Sequence, residues 1–297
     1  MKRVFMFGFV LLVISALAFG LGQKGKSGQG LKVFISVDME GISGIVTSEE
    51  CSRAAGDDYG YFRKIMTQEA NAAVEGALAA GAAEIWVRDS HGSARNILPD
   101  LLHKQAKLLR DWSGGPKIMM DGIDGTFDAV VLIGYHAKAG TPDAIIEHTM
   151  SGVVTDVTIN GVSLPEAGIN ALIAGCYNVP VAFVAGDKAI CDQAKNLFGE
   201  VETVAVKEGI GAAALCLHPE VAQEKIRAGV ERALRNLSQF KPYTMAPPYT
   251  MVLKLKDEKQ IYNGQFYPGV QRTGDWELTY ESNDLMEVIK AFSYTRR

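Results

Sequence analysis

The sequence predicts an α/β fold: a largely parallel sheet flanked by helices, with a smaller C-terminal α+β portion. Three observations carry this. The runs 33–37, 128–133 and 181–185 are apolar at nearly every position, as strands buried on both faces must be. Segments with apolar residues at helical spacing stand between such runs. Beyond Lys241 the alternation stops, and Pro247-Pro248 introduces a different pattern of strands.

Taken in order, the first strand, 33–37, stops abruptly on Asp38. Residues 57–80 form a long helix, because Phe62, Met66, Ala70, Ala73 and Ala77 fall on one face; Gly81 closes it as a C-cap. A short strand, 84–88, ends at Asp89-Ser90-His91-Gly92. Residues 97–106 read as a helix and 117–120 as a short strand. The apolar strand 128–133 ends at Gly134-Tyr135-His136. Residues 153–160 alternate like a half-exposed strand, and Asn160-Gly161 is a two-residue hairpin turn into 162–164. Pro165 suits the first turn of a helix reaching about residue 176. Strand 181–185, a helix from Asp187, strand 202–207 and a helix over 219–237 follow. The last part offers strands near 251–255 and 276–280 and a helix from Asn283.

With 297 residues, 47% hydrophobic and 22% charged, the chain can bury a large core in one domain or two. A net charge of −4 and the lack of a long basic run argue against nucleic acid and against electrostatic docking on an anionic membrane. Lys2 and Arg3 precede an apolar run over 4–19, and Ala16-Leu17-Ala18 offers a small-x-small cleavage site. Residues 1–22 therefore read as a signal peptide, and the protein as exported, to the periplasm or beyond; an uncleaved N-terminal membrane anchor is the alternative. Residues 23–30 read as a flexible linker, 31–240 as the catalytic α/β part, and 241–297 as the smaller α+β part. Cys51, Cys176, Cys191 and Cys216 match no zinc spacing and read as free, buried thiols.

The chemistry lies at the strand ends. Asp38 and Glu40 are two residues apart after an apolar strand; in extended backbone they point the same way and repel, so a bound cation would hold them together. Solvated loop acids would give the same letters. The strand at 84–88 ends on Asp89 and His91, and that at 128–133 on His136. In an open parallel sheet these ends share the edge where ligands bind. Glu166, at the start of a helix, either adds a third carboxylate or simply suits the helix N-terminus, where negative charge is favoured. Asp, Glu and His together suit zinc or a similar divalent ion. Five ligands exceed one tetrahedral ion and serve two ions that share a carboxylate. Asp89 either orients a neighbouring imidazole or caps its turn; His103 and His218 read as surface or structural residues, and Gly41, Gly44 and Gly92 as backbone-geometry positions.

Ser36-Val37-Asp38-Met39-Glu40-Gly41-Ile42-Ser43-Gly44 resembles the opening motif of the zinc-dependent D-aminopeptidase family of bacterial dipeptide-utilisation systems. Asp89-Ser90-His91, Gly134-Tyr135-His136-Ala137, Glu147-His148-Thr149-Met150 and Pro165-Glu166-Ala167-Gly168-Ile169-Asn170-Ala171 resemble its later motifs, in order. The resemblance spans about residues 32–237. It implies that Asp38 bridges two zinc ions, that Glu40 and His91 complete one site, that His136 and Glu166 complete the other, and that His148 takes a direct catalytic part. It implies a di-zinc aminopeptidase, in which a metal-bridged hydroxide cleaves the first peptide bond of short peptides with an N-terminal D-residue such as D-alanine. It also implies a ring-like homo-oligomer of ten subunits, to which residues 241–297 are reasonable contributors. Glu147 and Pro165 depart from the familiar residues without removing a ligand, and the signal segment is unlike the best-known relatives. Two rival classes are another metal-dependent amidase or esterase, and an exported non-enzymatic metal- or solute-binding protein.

Overall fold

The computed structural model describes residues 30–296; the expected signal segment 1–22 and nearly all of the expected linker 23–30 lie outside them. In chain order the elements are β1 (Leu31–Val37), α1 (Asp57–Ala79), β2 (Ala82–Asp89), β3 (Ala106–Leu109), β4 (Ala129–Tyr135), β5 (Val154–Ile159), β6 (Val162–Ser163), α2 (Glu166–Gly175), β7 (Val181–Asp187), α3 (Lys188–Phe198), β8 (Glu202–Ile210), β9 (Ala213–Cys216), α4 (Pro219–Arg235), β10 (Tyr249–Leu255), α5 (Glu258–Gly264), β11 (Gln271–Gly274), β12 (Glu277–Ser282) and α6 (Leu285–Thr295).

A seven-stranded sheet runs β3-β2-β1-β4-β7-β8-β9, parallel except for the final β8–β9 pair. The chain builds outward from β1 through β2 to β3, then returns to place β4 on the other side of β1. That reversal is a topological switch point, where the connections leave a crevice at the carboxyl ends of the strands. Alternation splits β1 between two cores: Val33, Ile35 and Val37 face α1 and α4, while Phe34 joins Val130, Leu132 and Val184 on the opposite side. Being buried on both faces, β1 and β4 have no polar periodicity, which is why they read as continuous apolar runs. Gly76 lets α1 lie against α4, since a Cβ there would meet the carbonyl oxygen of Arg227.

A second, antiparallel sheet runs β11-β12-β10-β5-β6. It draws strands from both sides of residue 240, because the hairpin over 154–163 pairs with β10 through contacts such as Leu253 with Val157. Its apolar residues Val157, Ile159, Met251, Leu253 and Leu278 share one core with Phe34 and Leu132 of the larger sheet.

Two local expectations fail. Residues 97–106 form turns leading into β3, with no helix. Their backbone N–H groups are taken by side chains from elsewhere: Asp89 accepts from Ile97 at 2.7 Å, Thr67 from Leu98 at 3.1 Å and Asn71 from His103 at 2.7 Å. Pro99 also cannot donate within a helix. The stretch 117–120 is not a strand; a buried 3-10 turn spans Ile118–Met120, with Ile118 at φ 52°. The cysteines are free thiols, and Cys51 and Cys191 are buried, but Cys176 is exposed just past α2 and Cys216 is only partly covered. Among the described residues no helix is long and apolar enough to cross a membrane.

Candidate metal centre

The switch point sets the site. Asp38 and Glu40 follow β1, His91 follows β2 and His136 follows β4, the three neighbouring central strands. Glu166 is the first residue of α2, and His148 lies on the long connection between β4 and β5. The loop after β1 is laced to the end of β4: Asp38 N–H donates to the Ile133 carbonyl and Gly41 N–H to that of Gly134, each at 2.8 Å. Gly41 is required there, because a Cβ would overlap the carbonyl oxygen of Tyr135.

All six sequence-derived residues converge. The two oxygens of Asp38 face opposite ways, Oδ1 lying 3.3 Å from Nδ1 of His91 and Oδ2 3.5 Å from Nε2 of His136. Around the first oxygen, Glu40 Oε2 is 2.9 Å from the same His91 nitrogen. Around the second, Glu166 Oε1 is 3.4 Å from His136 Nε2 and 3.5 Å from His148 Nε2. The His136 and His148 rings stack with centroids 4.1 Å apart. Asp38, Glu40 and His91 thus form one group of ligand atoms within 4.8 Å of one another, and His136, His148 and Glu166 form a second. The second oxygen of Asp38 reaches toward His136 of the second group.

This donor set fits divalent cations. Each imidazole is tied by its far nitrogen to a backbone carbonyl: His91 Nε2 to Cys51, His136 Nδ1 to Ala137 and His148 Nδ1 to Ile146, at 2.9–3.0 Å. Such bonds fix the tautomer and leave the inward nitrogen a lone pair. Asp38 Oδ2 and His136 Nε2 are buried without a hydrogen-bond partner, an arrangement that costs free energy unless something else binds them.

Before a cation binds, protons on the ligands would offset the clustered charge. Burial, then the neighbouring Glu40, pushes the Asp38 carboxyl up to about 8. Burial opposes charge on His91 and His136, but the carboxylates beside them outweigh it, raising His91 well above the ordinary range and His136 to about 10. Burial opposes charge on Glu40 and Glu166 too, and there the facing imidazoles win and hold both low. These shifts favour protons on Asp38, His91 and His136 when no metal is bound, and ligation must displace them. Zinc loading at pH 7 should release protons, and affinity should fall as pH falls. Calorimetric titration in buffers of different ionisation heat measures this; binding with no proton release would refute it.

Asp89 does not orient an imidazole. Its carboxylate accepts from Asn96 N–H at 2.6 Å, Asn96 Nδ2 at 2.7 Å and Ile97 N–H, capping the turn after His91. His103 is a loop residue whose Nδ1 accepts from the N–H of Gln105, and His218 caps the N-terminus of α4. Sequence reasoning missed Lys207 on β8. Its buried ammonium donates to the carbonyls of Glu40, Ile42 (3.2 Å) and Ile45 (2.6 Å), fixing the loop that carries Glu40. Lys207→Met leaves these acceptors without their donor, at about 1–3 kcal/mol each where water cannot reach. We expect a loss of about 3 kcal/mol in denaturant stability and roughly 10–100-fold weaker zinc affinity, read by chelator competition; unchanged zinc affinity would show that Lys207 supports the fold alone.

A family model described as D-aminopeptidase matches residues 31–294. The D-aminopeptidase of Bacillus subtilis (strain 168) is 36% identical over 267 residues, covering 88% of this chain and 95% of that protein. Among solved structures, the zinc-dependent D-aminopeptidase DppA from Bacillus subtilis, described as a self-compartmentalizing protease, superposes with a TM-score of 0.85 at 33% identity, covering 89% of this chain and 96% of that one. Five motifs in order, a largely parallel sheet flanked by helices and a family match over residues 31–294 agree: the chain belongs to the D-aminopeptidase family.

Proposed function

We propose that this protein is a zinc-dependent aminopeptidase that removes an N-terminal D-residue, such as D-alanine, from short peptides. The observation that carries the reading is Asp38, whose two oxygens address two separate histidines within a buried cluster of carboxylates. Asp38, Glu40 and His91 would hold one zinc ion, and Asp38, His136 and Glu166 a second. Zinc bound there supplies Lewis acidity and lowers the pKa of coordinated water toward neutrality.

The chain's own residues supply the rest. The cluster opens into a cavity of about 310 Å³ whose lining includes Asp38, Glu40, His91, His148 and Glu166 together with Trp112, Met119 and Met150. The volume is at the small end of the ligand-site range, ~300–1,000 Å³, which suits a short peptide. His148 is more open to this cavity than His136, with its side chain 23% exposed against 0%. Its Nδ1–H donates to the Ile146 carbonyl, so Nε2 is the atom that takes a proton and returns it to the leaving amine. Glu166 is held by the N–H of Met150 at 2.6 Å, which fixes the segment bearing His148 relative to α2.

The D preference rests on family membership. The description of DppA as self-compartmentalizing supports self-association of this chain, ring-like and of the order of ten subunits by resemblance, and light scattering tests it. The N-terminal segment supports export, tested by fractionation with N-terminal sequencing. The deciding experiment is a comparison of D-Ala- and L-Ala-initiated dipeptides, with and without chelator. Chelator-sensitive release from the D-isomer alone supports the proposal; equal release from an ester panel, or none from any peptide, overturns it.

A further inference from the structure

We propose that Arg296, at the C-terminal end of α6, binds the free α-carboxylate of the substrate and thereby selects short peptides with an uncapped C-terminus. The assignment rests on the aminopeptidase reading and adds to it a specificity-determining residue. Arg296 lines the same cavity as the metal-ligand cluster, and among the described lining residues it alone carries a Lys or Arg side chain. The other charged lining group outside the cluster, Asp121, is set against the buried Arg88 guanidinium at 3.9 Å and accepts from Ser113 Oγ at 2.7 Å.

The placement matches the length of a small substrate. Arg296 Nη1 reaches the carbonyl of Met150 at 3.5 Å, and the N–H of that same residue donates to Glu166 Oε1 at 2.6 Å. One residue of backbone therefore separates the guanidinium from a carboxylate of the cluster. In a dipeptide, one residue, about 3.8 Å from Cα to Cα, likewise separates the scissile carbonyl from the terminal carboxylate. The guanidinium lies against the Phe292 ring, 5.5 Å from its centroid, which supports it at the end of the helix. A planar guanidinium takes a carboxylate through paired N–H bonds, a fit that an ammonium does not reproduce. It also gives the substrate's anion a partner other than the cations of the cluster, where a carboxylate would bind the peptide backwards.

The test uses the full-length, zinc-loaded chain with D-Ala-D-Ala and with its C-terminal amide, which keeps the shape and removes the charge. The wild-type chain should prefer the free acid by about 10–100-fold in kcat/KM, the range of a hydrogen bond to a charged group, chiefly through KM. Arg296→Gln should bring the two substrates to within about twofold of each other, and Arg296→Lys should restore part of the preference. A wild-type chain that cleaves both equally, or an Arg296→Gln variant that keeps the preference, overturns the assignment while leaving the aminopeptidase standing. Failure of the wild-type chain to cleave either peptide removes the aminopeptidase reading and this assignment with it.

Discussion

Asp38→Asn should abolish turnover and empty both halves of the site without unfolding the chain. One oxygen of Asp38 lies beside His91 and the other beside His136, so one substitution should remove a donor from both halves of the site. An amide nitrogen would also face one of the two histidines. Lewis-acid stabilisation is worth several kcal/mol, and at about 1.36 kcal/mol per factor of ten the loss in kcat/KM should be about a thousandfold or more. Stability of the metal-free chain should behave differently. Burial and Glu40 already hold this carboxyl in its neutral form up to about 8, so at pH 7 a neutral amide replaces a neutral acid. Denaturant unfolding of the stripped proteins at pH 7 should therefore show little change, while metal analysis shows loss of zinc. A variant that keeps its zinc and most of its activity would contradict the bridging role.

His148→Ala should separate chemistry from metal binding. General acid–base catalysis contributes about 10²–10⁴-fold, and a loss of that size in kcat is expected, with KM little changed. Zinc content should stay near that of the parent, because Asp38, His136 and Glu166 remain. The geometry makes this a sharp test. His148 Nε2 lies as near to Glu166 as His136 does, and the three form one potential ligand group. Loss of a zinc equivalent together with activity would make His148 a ligand, and the proton would have to be carried elsewhere.

The parts of this fold legible in the sequence are those set by neighbours in the chain. Strands β1, β4 and β7 are recognisable because burial on both faces leaves almost no polar residue to break the run. Asp38, Glu40 and His136 stand out because they come just after such runs, and His91 because it comes just after the shorter strand β2. What depends on distant partners is hidden. Residues 97–106 have helical apolar spacing, yet Asp89, Thr67 and Asn71 claim their backbone donors. The hairpin over 154–163 is evident as a hairpin, but nothing local says that it joins strands from the end of the chain. Lys207 looks like a surface lysine beside Glu208, since the carbonyls it serves are more than 160 residues away. The short elements β9, α5 and β11 escape notice because they carry few buried residues each.

The central claim is that one carboxylate is shared by two cations. Diffraction from zinc-loaded crystals at the zinc absorption edge tests it most directly. The account predicts two anomalous peaks per chain, roughly 3.5–4 Å apart, with one oxygen of Asp38 directed at each, Glu40 and His91 beside one and His136 and Glu166 beside the other. A single peak, or none near Asp38, would contradict it.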